Sequence, residues 1–293
     1  MPSLSDPFRS RKKFILRHAG IVCKKEYSPA EKLVKQVRLQ LQRKNIRVTI
    51  NRIEKDQDIL IIFGGDGTLL HVADQAANYN IPVLGVNMGN LGFLTERTER
   101  EALTAVNELL TEQVTVENRM MLKALLTDHG KPDKSRYALN EVVVNKGTLD
   151  RMLELSTHTD KEYINTYKAD GLIFSTPTGS TAYNLSAGGP LVYPGLASIL
   201  VTPICPFMLS SRPVLLPASS RLQTRIKNSP EQMAQIIVDG QSAWDMGENS
   251  CLIIQAATQP LQLIVSPNRD YFTILRNKLN WGVGNTPHPI SFK

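Results

Sequence analysis

A glycine-rich loop with a single carboxylate, Gly64-Gly65-Asp66-Gly67-Thr68, is the strongest chemical signal in the sequence. The apolar run from Ile59 to Phe63 precedes it, and the helically spaced segment from Leu69 to Ala77 follows it. Glycines let a backbone approach a phosphate closely, and the N-terminus of a helix favours negative charge. A carboxylate there would repel the anion, so Asp66 is better suited to taking a proton from an attacking hydroxyl or to handling a metal. The alternative is a tight strand-to-helix turn in which Asp66 caps the helix, and the loop alone leaves both interpretations open.

A second glycine loop, Asn87 to Phe93, follows the next apolar run, Ile81 to Val86. Open parallel sheets bind ligands in the loops beyond the carboxyl ends of their strands, so the two loops together predict a ligand-binding edge. The alternative is a glycine turn that packs Leu91 and Phe93 into the core. Neither loop has the spacing of a Walker A motif or of a dinucleotide-binding fingerprint.

The pair Asn140-Glu141 stands at the head of the apolar run from Val142 to Val144. An amide beside a carboxylate suits a sugar diol or a metal. Taken alone, the pair is a weak signal, and a turn at the end of a strand is the simpler interpretation.

The stretch from Lys168 to Gly189 is dense in hydroxyl residues, small residues and glycines, and it contains a short apolar strand. Such a surface can hydrogen-bond the edge of a base and let a ring lie close, and Tyr183 is suited to stacking on that ring. The length and composition of the stretch favour a binding surface over a polar loop without function.

The segments around these motifs predict two kinds of domain. Before about residue 115, apolar runs alternate with helically spaced segments, including a capped helix from Thr98 to Leu110, which is typical of an α/β fold. Beyond it, strands at short spacing are separated by turn residues, which is typical of a β-sandwich or barrel. A last helix is predicted from Asp270 to Leu279. The strands predicted in the second part are Arg119 to Thr127, Ala138 to Val144, Met152 to His158, Gly171 to Ser175, Arg221 to Ile226, Gln235 to Val238 and Cys251 to Ala256.

Composition excludes several classes of protein. Of the 293 residues, 42% are hydrophobic and 21% are charged, which is ordinary for a globular protein and excludes a disordered chain, a collagen or a coiled coil. The net charge of +7 and the aromatic content of 6% do not indicate a nucleic-acid partner. The three cysteines are far apart and form no CxxC pair, so neither a disulfide framework nor a zinc site is predicted. No apolar run reaches the ~18 residues of a membrane span, so no membrane partner is expected.

Taken together, these motifs resemble those of the NAD kinase family, in its bacterial branch. They stand in the order of the family and cover most of residues 60–245. The glycine–Asp loop alone is also similar to loops of diacylglycerol, sphingosine and phosphofructokinase enzymes, whereas the Asn–Glu pair and the stretch from Thr178 to Ser186 are specific. The segments that carry the resemblance are Gly64 to Leu70, Asn87 to Thr95, Asn140-Glu141, Asp170 to Gly189, Ser211-Arg212-Pro213 and Asp239-Gly240-Gln241.

The resemblance implies a fold of class α/β plus β. An N-terminal Rossmann-like α/β domain would span residues 1–115, and a C-terminal β-sandwich-like, NAD-binding domain would span residues 116–265. Residues 266–293 would return to the first domain and pack on it. In this family the site lies between the domains, which would place Asn140-Glu141 and the Thr181 loop opposite Asp66. The enzymes are usually dimers or tetramers, so a homodimer or homotetramer is implied.

The resemblance also implies roles for individual residues. Asp66 would be the catalytic base for the 2′-hydroxyl of the adenosine ribose of NAD. Asn140 and Glu141 would bind ribose hydroxyls and help organise phosphate or metal, and the basic Lys168 would favour NAD over NADH. The phosphate loop would be formed by Gly64, Gly65 and Thr68. The residues implied to contact NAD are Gly67, Asn140, Glu141, Arg151, Lys168, Asp170 (at a base or carboxamide), Thr178, the adenine-binding group Thr181, Ala182, Tyr183, Asn184, Leu185 and Ser186, and Gln241.

The implied function is that of a cytoplasmic NAD kinase, which would use ATP with Mg²⁺ or another divalent cation to make NADP. No residue is assigned to a metal held by the protein. One alternative is a lipid or sugar kinase built on the same loop. Another is a non-catalytic NAD(P)-sensing regulator, which is disfavoured because Asp66 and Glu141 are both present. The sequence leaves open the phosphoryl donor, the size of the oligomer, allosteric control and the role of His71.

Overall fold

A computed structural model describes residues 8–23, 28–89, 91–128, 131–147, 151–227, 233–266 and 270–280. In chain order its elements are β1 (Arg9–Lys12), β2 (His18–Cys23), α1 (Ser28–Gln42), β3 (Arg47–Ile50), β4 (Ile59–Phe63), α2 (Asp66–Asn78), β5 (Val83–Asn87), β6 (Arg97–Thr98), a 3₁₀ turn (Glu99–Glu101), α3 (Ala102–Thr111), β7 (Val114–Arg119), β8 (Leu122–Asp128), β9 (Lys131–Ala138), β10 (Glu141–Asn145), β11 (Leu153–Thr159), β12 (Tyr163–Ala169), β13 (Gly171–Ser175), a second 3₁₀ turn (Thr178–Thr181), α4 (Tyr183–Ser186), β14 (Ser198–Ile204), β15 (Val214–Pro217), β16 (Leu222–Ile226), β17 (Ala234–Val238), β18 (Gln241–Met246), β19 (Ser250–Ala256), β20 (Leu261–Val265) and α5 (Tyr271–Leu279).

The described residues divide into two compact units. The α/β unit consists of Arg9–Leu69, Val83–Glu117 and the chain from Leu263 onward, and the sandwich unit consists of Phe8, Leu70–Pro82 and Asn118–Gln262. The predicted fold class, an α/β part followed by a β-sandwich part, is confirmed. In the described part of the chain, no helix is both long enough and apolar enough to cross a membrane.

The α/β unit is built on a sheet in the order β1-β7-β20-β5-β4-β2-β3, with β6 beside β5. Strand β4 is buried along its whole length, as predicted from its unbroken apolar run. Its alternate residues Ile59, Ile61 and Phe63 pack in one apolar cluster with α1 and α3. Strand β20 pairs in parallel with β5, so the chain returns to this sheet after the last strand of the two sandwich sheets and before residue 266.

The sandwich unit contains two antiparallel sheets of six strands each. Their strand orders are β15-β14-β13-β10-β17-β18 and β12-β11-β16-β19-β8-β9. Apolar side chains from both sheets form a single core, which makes this unit a sandwich. The sequence analysis did not predict β9, β12, β14, β15 or β18. Strand β9 lies at the edge of its sheet and exposes most of its side chains, so it carries little apolar alternation.

Candidate active site

The glycine–Asp loop joins β4 to α2, as predicted. Packing requires Gly64, because an added Cβ would lie 2.3 Å from Thr68 Oγ1. The Gly64 N–H donates to the Val86 carbonyl (3.0 Å). At Gly65 and Gly67, an added Cβ would meet no atom within 4 Å, and neither residue has a positive φ. The fold itself therefore does not require these two glycines. The open space beside them is available to a ligand that approaches the backbone closely.

The second glycine loop holds the Asp66 carboxylate. Oδ2 accepts a hydrogen bond from the Phe93 N–H (2.7 Å), and Oδ1 accepts from the Leu94 N–H (3.1 Å). The N–H and the hydroxyl of Thr95 also donate to Oδ1, at 3.0 and 2.9 Å. Asp66 is the first residue of α2, but its side chain binds the second glycine loop. Asp66 is therefore not a simple helix cap. Oδ2 accepts one of these bonds and Oδ1 three, so Oδ2 retains the capacity to accept from a ligand hydroxyl.

The backbone of Gly92 lies close to the Asp66 carboxylate, and only the absence of a side chain at Gly92 allows this contact. A Cβ on Gly92 would lie 2.0 Å from Asp66 Oδ1, so no other residue fits there without moving the carboxylate. The loop contributes the buried side chain of Leu94 to the core, whereas Leu91 and Phe93 are only partly buried. The loop is therefore organised around Asp66 more than around the two apolar side chains that the sequence indicated.

Asn140 and Glu141 lie where the chain passes from one sheet of the sandwich unit to the other. The sequence predicted one continuous strand from Ala138 to Val144, and this is wrong, because β9 ends at Ala138 and β10 begins at Glu141. The backbone N–H groups of Leu139, Asn140 and Glu141 donate instead to the Asp239 carboxylate, at 2.7, 2.8 and 3.0 Å. Because these groups bind a side chain, the chain turns at this point and does not continue a strand.

Glu141 is a buried carboxyl with capacity for a ligand. Its side chain receives the backbone N–H of Tyr183, and its Oε2 is buried without a hydrogen-bond partner among the described residues. Burial, and after it the negative charge of Asp239, raises the pKa of Glu141 to about 8. Burial raises the pKa of Asp239 less, to about 6, because three backbone N–H donors and the Arg136 guanidinium oppose it. At neutral pH, Asp239 is therefore the charged member of the pair and Glu141 carries a proton.

We expect Glu141→Gln to stabilise the fold at alkaline pH. A carboxyl with a folded-state pKa above its unfolded value stabilises the fold at low pH, and this contribution is lost as the pH rises to the folded pKa. For Glu141 this stabilising contribution is lost between about pH 4.5 and about pH 8. Gln has the same shape and does not titrate, so the variant should gain up to about 4 kcal/mol at about pH 8 and converge with the parent toward pH 4.5. Thermal unfolding across this range checks the prediction.

Asp160→Asn is the matched control for this measurement. Asp160 is an exposed carboxyl whose pKa is lowered by hydrogen bonds from Arg221 and Gln223, so its replacement should bring no gain at alkaline pH. A Glu141→Gln protein that unfolds at a lower temperature than the parent at about pH 8 would contradict the assignment of a buried, protonated carboxyl.

The hydroxyl-rich loop packs directly on Asn140. A Cβ on Gly179 would lie 2.2 Å from the Asn140 carbonyl oxygen, so glycine alone permits this contact. In the same loop, Thr178 Oγ1 is buried without a partner among the described residues, and the Tyr183 side chain is 40% exposed. A buried hydroxyl that lacks a partner and an exposed ring are both features that a nucleoside can satisfy, through a hydrogen bond and through stacking.

Asn184 has a role inside this loop. It is fully buried, and its Nδ2 donates to the carbonyl groups of Ser180 (3.3 Å) and Pro190 (3.1 Å). Its Oδ1 accepts from the Thr202 hydroxyl (2.7 Å). A Cβ on Gly189 would lie 2.1 Å from the same Oδ1. The Asn184 amide therefore fixes the shape of the loop, a role that the sequence did not indicate.

The remaining predicted contacts are distributed over the sandwich unit. Asp170 forms an ion pair with Lys146 (2.9 Å), and the Lys168 ammonium lies 5.2 Å from the centroid of the Phe207 ring, in a cation–π contact. Arg151, Lys168 and Ser186 are exposed, whereas Thr181, Ala182, Leu185 and Gln241 are partly buried. Gly64, Gly65 and Thr68, which the resemblance assigns to a phosphate loop, belong to the α/β unit together with Asp66 and Gly67.

Two residues near these contacts carry roles that the sequence analysis did not assign. Arg136 donates to Gln241 Oε1 (3.3 Å), which leaves Gln241 Nε2 to donate to His71 Nδ1 (2.6 Å). His71, whose role the sequence left open, therefore helps to orient the Gln241 amide. Asp239 appeared in a recognised segment but not among the candidate site residues. Its Asp-Gly dipeptide indicates a turn, but no local pattern reveals which amides its carboxylate binds.

Comparisons with known proteins are consistent with this geometry. Residues 12–114 match the family model of the ATP-NAD kinase N-terminal domain, and residues 139–266 match that of the ATP-NAD kinase C-terminal domain. The NAD kinase of Syntrophobacter fumaroxidans is 38% identical over 282 residues, which cover 91% of this chain and 99% of the relative. The NAD kinase of Syntrophotalea carbinolica is 42% identical over 225 residues, which cover 77% of this chain and 79% of the relative.

Two solved structures resemble the chain. Yeast NADH kinase complexed with NADH gives a TM-score of 0.85 at 24% identity, over 94% of this chain and 90% of the yeast chain, which is a likeness of fold. An NAD kinase from Archaeoglobus fulgidus in complex with ATP gives a TM-score of 0.71 at 25% identity, over 90% of this chain and 98% of the archaeal chain. The two matched family models include both the glycine–Asp loop and the Asn140-Glu141 turn. With these motifs, matches and relatives, the chain belongs to the NAD kinase family.

Proposed function

We propose that this enzyme transfers a phosphoryl group from ATP to the 2′-hydroxyl of the adenosine ribose of NAD, giving NADP and ADP. The observation that carries the proposal is the Asp66 carboxylate, fixed by four donors and with capacity left on Oδ2, beside glycines that leave open space. The curated relatives are named NAD kinase, and the archaeal relative was solved in complex with ATP. The reaction class is a phosphotransferase with an alcohol group as acceptor.

On the donor side, phosphoryl transfer requires mainly positioning and stabilisation of charge. The donor is ATP, which enters as its complex with Mg²⁺ or another divalent cation on the phosphates. Gly64, Gly65 and Thr68 form the phosphate loop, since α2 begins there and its first backbone N–H groups favour an anion. Asp66 Oδ2 accepts the proton of the ribose 2′-hydroxyl. The ribose oxygen bonds to the γ-phosphorus, and the bond between this phosphorus and the oxygen that leaves with ADP breaks.

On the acceptor side, the sandwich unit binds NAD. Glu141 carries a proton at neutral pH, so its Oε2 can donate to a ribose oxygen as well as accept. The Thr178 hydroxyl gains a partner from the nucleotide, and Tyr183 stacks on the adenine. The further NAD contacts that we propose are Gly67, Asn140, Arg151, Lys168, Asp170, Thr181, Ala182, Leu185, Ser186 and Gln241. Asn184 is left out of this set, because its buried amide is already bound inside the loop.

Lys168 is proposed to favour NAD over NADH. Its ammonium is exposed and held over the face of Phe207, which keeps a positive charge at a defined place in the sandwich unit. The nicotinamide of NAD carries one more positive charge than that of NADH, so the ammonium does not favour NAD by direct attraction to this ring. The preference for NAD would come from other groups of the nucleotide that the ammonium binds.

Three further properties are proposed on more general grounds. The domains are residues 1–115, 116–265 and 266–293; of the last segment, the structure describes residues 266 and 270–280. The family-model boundaries at 114 and 266 support this division. A cytoplasmic location fits the free cysteines Cys23, Cys205 and Cys251. A homodimer or homotetramer fits the exposed apolar residues Phe207, Met208 and Leu209, which another copy of the chain could cover.

The test of the proposed function is NADP formation from NAD and Mg-ATP by the purified protein. NADP should form with NAD and ATP together and with neither alone, and NADH should be the poorer acceptor. The same assay with other nucleoside triphosphates and with polyphosphate identifies the donor. Absence of NADP with every donor, with NAD still binding, would favour the regulator over the kinase, and transfer to a lipid or sugar would favour the other alternative.

A further inference from the structure

The Asp239 carboxylate accepts hydrogen bonds from three consecutive backbone amides. The hairpin turn that contains Asp239 does not itself require a carboxylate at this position. Asp239 Oδ2 accepts from Leu139, and its Oδ1 accepts from Asn140 and Glu141. Its own N–H donates to the Glu141 carbonyl (3.0 Å). A single residue thus has four hydrogen bonds to the segment that carries the Asn–Glu pair.

The turn that contains Asp239 connects β17 to β18 in two residues. Val238 pairs with Gln241, and Asp239 and Gly240 both have positive φ values, 46° and 75°. This is the geometry of a type I′ hairpin, for which Asn-Gly serves at least as well as Asp-Gly. The turn therefore explains a small polar residue at position 239 but does not explain a carboxylate.

The opposite side of the Leu139–Asn140 segment is also bound. Thr176 donates its hydroxyl to the Leu139 carbonyl (2.6 Å) and its N–H to the Asn140 carbonyl (2.9 Å). With the N–H groups bound by Asp239 and the carbonyl groups bound by Thr176, the backbone of this segment is fixed on both sides. The side chains of Asn140 and Glu141 are what it can offer to a ligand, and Glu141 Oε2 has no partner among the described residues.

We infer that Asp239 is a positioning residue for the reaction. Its carboxylate holds the turn that presents Asn140 and Glu141, and Gln241 follows two residues later at the start of the next strand. Asp239 acts through these residues and does not itself touch substrate. This inference rests on the proposed function, since it supposes that Asn140, Glu141 and Gln241 bind NAD.

The test compares Asp239→Asn with Asp239→Gly. Both substitutions suit a positive φ, so the hairpin is kept. Asn retains one acceptor oxygen, which can still serve Asn140 and Glu141, but it places an amide group against the Leu139 N–H. Gly retains none. We expect kcat/KM for NAD to fall by roughly tenfold in the Asn variant and by a further severalfold or more in the Gly variant, while KM for ATP stays within about twofold.

Hydrogen exchange gives a readout that does not depend on activity. The amides of Leu139, Asn140 and Glu141 should exchange about tenfold faster or more in Asp239→Gly than in the parent, with a smaller change in Asp239→Asn. Asp160→Asn is the control, because this exposed carboxyl binds Arg221 and Gln223 elsewhere in the sandwich unit. It should leave both the kinetics and the exchange of these three amides unchanged.

The outcomes separate the inference from the proposed function. A folded Asp239→Gly protein with parental kcat/KM for NAD would overturn the positioning role, and so would an equal rise of the KM values for NAD and ATP. If Asp239→Gly does not fold, the Asn variant decides by the same criteria. If the parent itself makes no NADP, the proposed function fails, and unchanged exchange at residues 139–141 would then be what overturns the structural part of the inference.

Discussion

Replacement of Asp66 by Asn is expected to lower kcat for NADP formation by about 10³-fold, because a positioned general base typically contributes 10²- to 10⁴-fold. Asn keeps the size of the side chain and one acceptor oxygen, but it cannot take the proton of the ribose hydroxyl. KM for NAD should change much less than kcat, since the proposed NAD contacts belong mainly to the sandwich unit. Steady-state kinetics of the purified variant check the expectation.

The four hydrogen bonds on Asp66 make a stability control necessary. In Asp66→Asn one oxygen becomes an amide that faces an N–H donor, so a loss of about 1–2 kcal/mol of stability is expected as well. Asp58→Asn is the control for loss of a carboxylate bound by backbone N–H groups, because Asp58 Oδ2 accepts two of them, from Arg17 (2.7 Å) and His18 (2.9 Å). The one oxygen of Asn can serve both donors, so Asp58→Asn should lose less stability than Asp66→Asn and keep its kcat. An Asp66→Asn enzyme with more than about a tenth of the parental kcat would show that Asp66 is not the base.

Gly92→Ala is the second substitution with a large expected effect. The added Cβ would lie 2.0 Å from Asp66 Oδ1 and 2.6 Å from Thr95 Oγ1, so the carboxylate or the loop has to move. A displacement of about 1 Å in a catalytic group costs on the order of 100-fold in rate, and overpacking of this kind costs about 1–3 kcal/mol of stability. We therefore expect kcat to fall by about 100-fold or more although no reacting group has been removed.

Gly89→Ala distinguishes this steric effect from a general sensitivity of the loop. Gly89 is exposed, has no positive φ, and a Cβ there would meet only Asn87 Oδ1, at 3.8 Å, an ordinary contact distance. The unfolding temperature of Gly89→Ala should match that of the parent, whereas Gly92→Ala should unfold at a lower temperature. Parental stability and kcat in Gly92→Ala would mean that the loop yields easily and that it does not fix Asp66.

The site illustrates where sequence reasoning succeeded. The glycine–Asp loop was predicted between a buried strand and a helix, and it joins β4 to α2, because the apolar run and the helical spacing are local patterns. The capping box at Thr98 and Glu101 is equally local, and the Thr98 N–H donates to Glu101 Oε2 (2.7 Å). The roles proposed for individual residues remain predictions that the experiments above test.

Sequence reasoning failed where a distant partner competes with a local preference. The segment from Ala138 to Val144 was predicted as one strand, but Asp239, about 100 positions away, takes the amides that would continue it. Asn184 has the polar side chain of a ligand contact, but Thr202 and two backbone carbonyl groups already occupy its amide. No window of a few residues contains these partners.

The sequence by itself determined the family, the two kinds of domain and the set of side chains available for chemistry, because these depend on residue types and on spacing along the chain. Only the tertiary structure decided what each carboxylate does. Asp66 is fixed by a loop 27–29 positions away, Asp239 binds a backbone turn, and burial leaves Glu141 protonated with an oxygen that has no partner among the described residues. Hydrogen-bond geometry and burial are properties of the folded chain, so the same three acidic residues acquire three different roles only when it folds.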